Sequence, residues 1–130
     1  MVVRNVLGEE LELCSLDPVT GCFRDGFCNV GSENHGHHTI CAVLTKEFLE
    51  YEQSIGNDLI TPRSEDRFPG LEAGDRWCIT AEDWLRSYQS GAAPFVVLTA
   101  TNEHVLELVP LETLREHSVD VPTGPGDLHH

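Results

Sequence analysis

The chain has 130 residues, of which 40% are hydrophobic and 23% charged, a composition typical of one globular domain that can close around its own core. Its 8 Lys and Arg residues stand against 22 Asp and Glu residues, which gives a formal net charge of −14. This charge repels phosphate backbones and anionic lipid, so it argues against a nucleic-acid or membrane partner. The negative charge is compatible with a cationic small molecule or a basic protein as the partner.

The first ten residues carry charges where the apolar stretch of a signal peptide would run. The longest apolar runs, residues 40–44 and 95–98, are far shorter than the roughly 20 residues that span a bilayer. These features predict a cytoplasmic protein whose thiols stay reduced. The count of five cysteines is odd, which also argues against a disulfide framework.

Turn-forming residues dominate the chain up to about residue 38, where residues 10–13 are the single strand candidate. Residues 40–44 are apolar and β-branched and predict a buried strand. Thr45 is suited to cap a helix from about residue 46 to residue 54, ended by Gly56. A long polar connection over residues 57–75 follows.

Residues 76–80 are a second strand candidate, and Thr80 begins a capping-box pattern with an acid three residues later. This pattern predicts a helix that buries Trp84, Leu85 and Tyr88 on one face and ends at Gly91.

Residues 95–100 are the strongest strand candidate, and residues 104–109 are expected to pair back on them as a hairpin. Pro110 suits the first turn of a last helix over residues 111–117. Few strands, one hairpin and two to three short helices predict an α+β fold with a small mixed or antiparallel sheet and long ordered loops. We expect one domain over residues 1–121 and a flexible tail over 122–130, whose final His129-His130 pair is set aside as a possible tag remnant.

The stretch from Cys14 to Cys41 holds four of the five cysteines and three of the seven histidines, His35, His37 and His38. Structural zinc sites usually take ligands in pairs roughly two to four residues apart, and no two of these cysteines lie that close. We therefore expect no metal and no cofactor, with zinc as the alternative. A cysteine inside an apolar strand, such as Cys41, more often packs as a small hydrophobe.

A catalytic thiol needs a lowered pKa, which a neighbouring positive charge or a helix N-terminus supplies. Cys28 fits best, because Arg24 precedes it in a turn-rich loop and His38 follows as an imidazole to act with it. We expect its pKa to fall below the ordinary thiol value of about 8.5. Cys78 is the second candidate, since it lies just before a predicted helix start.

Charged residues on loops braced by glycine and proline can also orient a ligand. More often such residues fix the loops themselves through hydrogen bonds and ion pairs. The candidate ligand-binding residues are Arg24, Asp25, Asp58, Arg63, Asp75, Arg76 and Trp77.

Nine short strings resemble the bacterial family catalogued as domain of unknown function 2237, over roughly residues 5–118. They are residues 5–8 (NVLG), 13–15 (LCS), 17–21 (DPVTG), 24–26 (RDG), 28–29 (CN), 38–42 (HTICA), 56–59 (GNDL), 68–71 (FPGL) and 74–78 (GDRWC). The resemblance implies a single small domain and no particular activity. Cys22 replaces an expected aromatic residue, Thr80 replaces a second cysteine, and His35 and His37 fall outside the shared strings. The residues that remain candidates for a reactive site or a metal site are Cys14, Cys28, His38, Cys41 and Cys78.

Two classes of function are compatible with these residues. One is a thiol- or metal-dependent enzyme, with a small-molecule site built from the Cys/His-rich loop and the Gly-Asp-Arg-Trp-Cys segment. The other is a non-catalytic binding or protein-interaction module in which the cysteines are structural and buried. Convergence of Cys28, Cys78 and His38 in a polar pocket favours the first class, and burial away from any cleft favours the second.

Overall fold

The computed structural model describes residues 3–16, 20, 25–30, 37–62 and 70–120. Within them the chain forms an α+β fold with a three-stranded sheet, as the sequence predicts. In chain order the elements are β1 (Ile40–Val43), α1 (Lys46–Ser54), β2 (Arg76–Ile79), α2 (Ala81–Gln89), β3 (Phe95–Val96), two 3-10 helices (Leu98–Ala100 and Glu103–Glu107) and α3 (Leu111–Arg115). The expectations for Cys22, Arg24, His35, Arg63 and the tail over 122–130 lie outside the described residues.

The sheet is antiparallel throughout, with β1 between β2 and β3. Because side chains alternate between the two faces of a strand, β1 contributes to two separate clusters. Ile40 and Ala42 belong to the larger core, whereas Cys41 faces the other side among the cysteines. All three are 0% exposed, so β1 is covered on both faces.

The larger core joins the sheet to the three helices. Phe48 of α1, Trp84 of α2 and Leu114 of α3 are each 0% exposed and belong to the same cluster of buried side chains. The Trp84 Nε1–H donates to the Pro94 carbonyl oxygen at 3.3 Å, so the one polar atom of this side chain is paired. Leu85 and Tyr88, predicted on the same face, are only half-buried.

Both predicted helix caps are confirmed. The Thr45 hydroxyl accepts the Phe48 N–H at 3.1 Å, and the Thr80 hydroxyl accepts the Asp83 N–H at 3.1 Å. No helix within the described ranges is long and apolar enough to cross a membrane.

Of the two strand predictions for the C-terminal part, one is right only at its start and the other is wrong. The strand expected over residues 95–100 stops at Val96, and Leu98–Ala100 is a 3-10 helix instead. The Asp120 carboxylate accepts the N–H groups of Leu98 and Thr99, at 2.9 and 3.0 Å, and so satisfies the start of this turn. The expected hairpin partner is also helical over Glu103–Glu107, where Asn102 caps the first turn.

The N-terminal segment, residues 3–16, contains no helix or strand, so the strand expected over residues 10–13 is also wrong. Isolated backbone hydrogen bonds link it to the 3-10 region: Val6 donates to Thr101, Glu12 donates to Thr99, and Glu103 donates to Arg4. Regular pairing therefore contributes little to the position of this segment.

Glu52 is an acidic side chain in the interior, on the side of α1 that faces α2. Its side chain is 0% exposed, and one carboxyl oxygen accepts from Asn57 Nδ2 at 3.2 Å while the other has no hydrogen-bond partner among the residues that the structure describes. Burial of the carboxyl group raises its pKa above the ordinary value of 4.5, and the charge of Asp83 adds to the rise. Ionised Glu52 thus opposes folding.

Replacement of Trp84 by alanine is expected to lower the free energy of unfolding by about 3–5 kcal/mol, because truncating a buried aromatic side chain leaves a cavity. Urea denaturation followed by circular dichroism measures the loss. Gln89→Ala, at the exposed end of the same helix, is the control and should stay close to the parent. A Trp84→Ala midpoint within error of the parent would contradict the assigned core.

Glu52→Gln is expected to stabilise the protein at pH 7. Because burial raises the folded-state pKa of Glu52, its protonation favours the folded state. This contribution of protonation to the free energy of unfolding is complete below pH 4.5 and is lost as the pH rises through the folded-state pKa. The advantage of the glutamine variant should therefore shrink as the pH falls towards 4.5. Thermal melts across this range measure the difference.

The control is Glu50→Gln, which removes the same charge from the exposed side of α1. This variant should give a small difference from the parent that does not follow the same pH trend. A Glu52→Gln variant less stable than the parent at pH 7 would show that the ionised carboxylate is stabilising.

Candidate functional site: a cluster of four cysteines

The register of the sheet places two cysteines side by side. Cys41 of β1 and Cys78 of β2 are direct cross-strand partners. The Cys41 N–H donates to the Thr101 hydroxyl at 3.1 Å and the Cys78 N–H to the Thr20 hydroxyl at 2.8 Å, so the two cysteines exchange no backbone hydrogen bonds. In antiparallel sheets such a non-hydrogen-bonded pair brings the side chains closest together.

Each strand cysteine is bonded to a cysteine of the N-terminal part rather than to its neighbour. One disulfide joins Cys14 to Cys41, with a Cα–Cα distance of 5.7 Å, and the other joins Cys28 to Cys78, with 5.3 Å. The expectation of reduced thiols is therefore contradicted. An odd count does not forbid disulfides when one cysteine, here Cys22, is left outside the pairs.

We call Cys14, Cys28, Cys41 and Cys78 the sulfur cluster. Their exposed fractions are 4%, 0%, 0% and 2%, and they are packed with Val43, Val97 and Ala100. The sulfur atoms of Cys14, Cys28 and Cys78 all lie within 4.8 Å of one another. The two disulfides therefore lie next to each other in one buried apolar cluster.

A close approach of backbone brings the two loop cysteines together. The N–H of Cys14 donates to the Gly26 carbonyl at 2.8 Å. Gly26 has φ +88°, and a Cβ there would lie 2.6 Å from the Leu13 Cδ1 and 2.8 Å from the Leu16 Cδ2. Only glycine adopts this conformation readily and leaves that space free, so Gly26 helps to set the position of both loops.

Buried polar side chains fix the backbone around the cluster. The Thr101 hydroxyl donates to the Val97 carbonyl at 2.8 Å while accepting from Cys41, and Asn102 Nδ2 donates to the Cys28 carbonyl at 3.2 Å. Thr20, Thr101 and Asn102 are 0%, 0% and 4% exposed. The sequence does not single out these residues, because Thr101 and Asn102 fall between the two strands expected to form a hairpin and no local pattern marks any of the three.

The three candidate catalytic residues, Cys28, Cys78 and His38, do not form a thiol–imidazole site in the structure. Cys28 and Cys78 meet as the two halves of one disulfide, and a disulfide sulfur carries no titratable proton. His38 is half-buried, and the close group of metal-ligating atoms found in the described part of the chain includes no histidine nitrogen. Arg24, the expected activator of Cys28, lies outside the described residues.

Three of the candidate ligand-binding carboxylates accept hydrogen bonds from their own loops. Asp25 Oδ1 accepts from the Phe27 N–H at 3.1 Å, and Asp75 Oδ2 accepts from the Glu72 N–H at 2.9 Å. Asp58 Oδ1 accepts the N–H groups two and three residues later, at 2.9 and 3.2 Å. Such Asx-type bonds fix a turn, which supports the commoner interpretation of these residues.

Two of the remaining candidates of this group, Arg76 and Trp77, lie on β2. Arg76 is exposed at the start of β2, and Trp77 is half-buried against the larger core, opposite Ala42. Because neighbouring residues of a strand point to opposite faces, Trp77 lies on the other side of the sheet from Cys78. Arg63 lies outside the described residues.

The sequence of the chain matches a known protein family. A family model described as "Uncharacterized protein conserved in bacteria (DUF2237)" matches residues 4–118. The chain belongs to this family. The resemblance inferred from the nine short strings is thus confirmed, and no curated protein matches the chain. The DUF2237 description names no reaction, so a function for this chain has to be argued from the sulfur cluster and its surroundings.

Thr101→Val is expected to lower the free energy of unfolding by about 1–3 kcal/mol, because it leaves the buried Cys41 N–H without an acceptor. Thr101→Ser keeps the hydroxyl and should lose distinctly less. Urea denaturation without reductant measures both. Equal losses in the two variants would show that the hydroxyl bond does not support the cluster.

Proposed function

We propose that the protein is a non-catalytic binding or interaction module in which the sulfur cluster is structural. The observation that carries this proposal is that all four cysteines are bonded in pairs and at most 4% exposed. A nucleophilic cysteine has to present a thiolate to its substrate. Two buried disulfides in an apolar pocket present none.

The cluster has a clear structural task. Residues 3–16 and 25–30 contain no helix or strand, yet they bear Cys14 and Cys28, which are bonded to the central strand and to β2. The bonds span sequence separations of 27 and 50 residues. Cross-links over loops of this size typically stabilise a fold by about 2–4 kcal/mol each. The disulfides thus hold residues 3–16 and 25–30 to the sheet, where these two described segments have no helix or strand of their own.

The surroundings of the candidate ligand residues agree with this role. The carboxylates of Asp25, Asp58 and Asp75 accept backbone N–H groups in their own turns. A carboxylate engaged in this way gives rigidity to a loop and has less capacity left for a ligand. Rigid loops on a small sheet are a suitable scaffold for recognition by shape and charge.

The charge of the chain sets the class of partner. At −14, the protein attracts cationic groups and repels nucleic acids and anionic lipid surfaces. We therefore propose a basic protein or a cationic small molecule as the partner. The cytoplasm, expected from the sequence, is the proposed compartment. Thiols there are usually kept reduced, but exposed disulfides are the ones most easily reduced, and the four cysteines of the cluster are at most 4% exposed.

Native-state alkylation tests the proposal against a thiol enzyme. In a Cys22→Ser background, iodoacetamide should label none of the four remaining cysteines of the unreduced protein at any pH, as read by mass spectrometry of each peptide. The same protein unfolded in urea without reductant should also stay unlabelled, because the disulfides persist. After reduction in urea all four should react.

Rapid labelling of native Cys28 or Cys78, with a pH midpoint below about 8.5, would contradict the proposal and support a catalytic thiol. Labelling of native Cys41 alone would contradict the assigned burial of the cluster. His38→Ala is the matched control: it removes the candidate catalytic imidazole and should leave the labelling pattern unchanged.

A further inference from the structure

We propose that the sulfur cluster, once reduced, binds one zinc ion through the thiolates of Cys14, Cys28, Cys41 and Cys78. This inference rests on the proposed structural role of the cluster and extends it to a second redox state. The same four residues would then join the N-terminal part to the sheet in both states, by two disulfides when oxidised and by a shared metal when reduced.

The distances between the sulfur atoms fit such a site. Zinc–sulfur bonds of about 2.3 Å in a tetrahedron place the sulfurs roughly 3.8 Å apart. The sulfurs of Cys14, Cys28 and Cys78 already lie within 4.8 Å of one another. After reduction the two members of each former disulfide need to separate by roughly 1.7 Å, a change that rotation about the side-chain bonds supplies.

The fourth ligand follows from the register of the sheet. Cys41 lies directly opposite Cys78 and on the same face, and it is the disulfide partner of Cys14. Its Cα lies 5.7 Å from that of Cys14. Cys41 is thus bonded to one member of the close group and lies beside another, although its own sulfur is more than 4.8 Å from at least one of the other two. Once the Cys14–Cys41 bond is reduced, rotation of the Cys41 side chain has to bring this fourth sulfur to the other three.

The rest of the pocket fits a closed structural site. Val43, Val97 and Ala100 surround the sulfurs, and the hydrogen bonds of Thr20, Thr101 and Asn102 fix the backbone that carries them. A four-cysteine zinc site has no open coordination position, so it supports folding and not hydrolysis. The spacing rule that argued against zinc applies to ligands on one turn, whereas here they converge from distant parts of the chain.

A dithiol reductant supplies the electrons and protons that convert the two disulfides into four thiols. Two equivalents of a dithiol give four electrons and four protons to the two disulfides and become two disulfides themselves, and the protein then has four thiols. Binding of Zn²⁺ releases the four protons and leaves a tetrathiolate centre of charge −2. Zinc affinity should therefore fall as the pH falls.

The test uses the full chain with Cys22→Ser, so that only the sulfur cluster supplies sulfur ligands. The protein is reduced with dithiothreitol, freed of it without oxygen, and incubated with Zn²⁺ or, as a spectroscopic probe, Co²⁺. Elemental analysis after desalting should find one zinc per chain in the reduced protein and none in the oxidised protein. Cobalt should give the visible bands of a tetrahedral ion and thiolate-to-cobalt charge transfer.

Zinc should also raise the melting temperature of the reduced protein and protect all four cysteines from alkylation. Cys41→Ser should lose the zinc in competition with a chelator, while His38→Ala should retain it. A reduced parent that retains no zinc, or a site lost in His38→Ala and kept in Cys41→Ser, would overturn the inference. If zinc fails to bind while the oxidised protein stays unlabelled by iodoacetamide, the structural role of the disulfides stands and only the metal site is wrong.

Discussion

Cys41 of β1 and Cys78 of β2 are cross-strand partners, and this pairing fixes which side chains face the helices and which face the disulfides. β1 is the central strand, and its alternating side chains contact the helices on one face and the cysteines on the other. A shift of one residue in this register would turn Cys41 or Cys78 into the larger core and separate the two disulfides. The sulfur cluster therefore reports directly on the pairing of the sheet.

The two faces of the sheet are stabilised by different means. On the helical face, burial of large side chains such as Phe48, Trp84 and Leu114 supplies the hydrophobic free energy. On the other face the apolar cluster is small, and residues 3–16 and 25–30, which bear Cys14 and Cys28, contain no helix or strand. Covalent bonds, or a metal in their place, compensate for the packing that this face lacks. Thr20, Thr101 and Asn102 then make its geometry specific.

The locally encoded parts of this fold could be predicted from the sequence. Thr45 and Thr80 are capping residues with recognisable partners, and β1 and β2 are short strands between turns, so their types are predicted correctly and their ends to within one residue. The 3-10 helix at Leu98–Ala100 could not be found in this way, because the carboxylate that satisfies its first N–H groups belongs to Asp120, about twenty residues later. An apolar β-branched run without that distant partner predicts a strand.

The disulfides were missed for a different reason. The count of five and the expected reducing compartment both argued against them, although the resemblance to the family already set Cys22 apart and left four cysteines. Cys41 and Cys78 each lie within a predicted strand, but the pairing and register of those strands depend on contacts far apart in sequence. Convergence of the four sulfurs is a property of the tertiary structure, and local spacing rules do not detect it.

The connectivity of the two disulfides can be determined by peptide mapping of the folded protein. The Cys22→Ser protein, alkylated without reduction, would be digested with trypsin and an endoproteinase specific for glutamate, which cut after Arg24 and Glu33 and so separate Cys28 from Cys14 and from Cys41. Mass spectrometry should then find Cys14 linked to Cys41 and Cys28 linked to Cys78. A Cys41–Cys78 link, or four alkylated cysteines in the folded protein, would contradict the account.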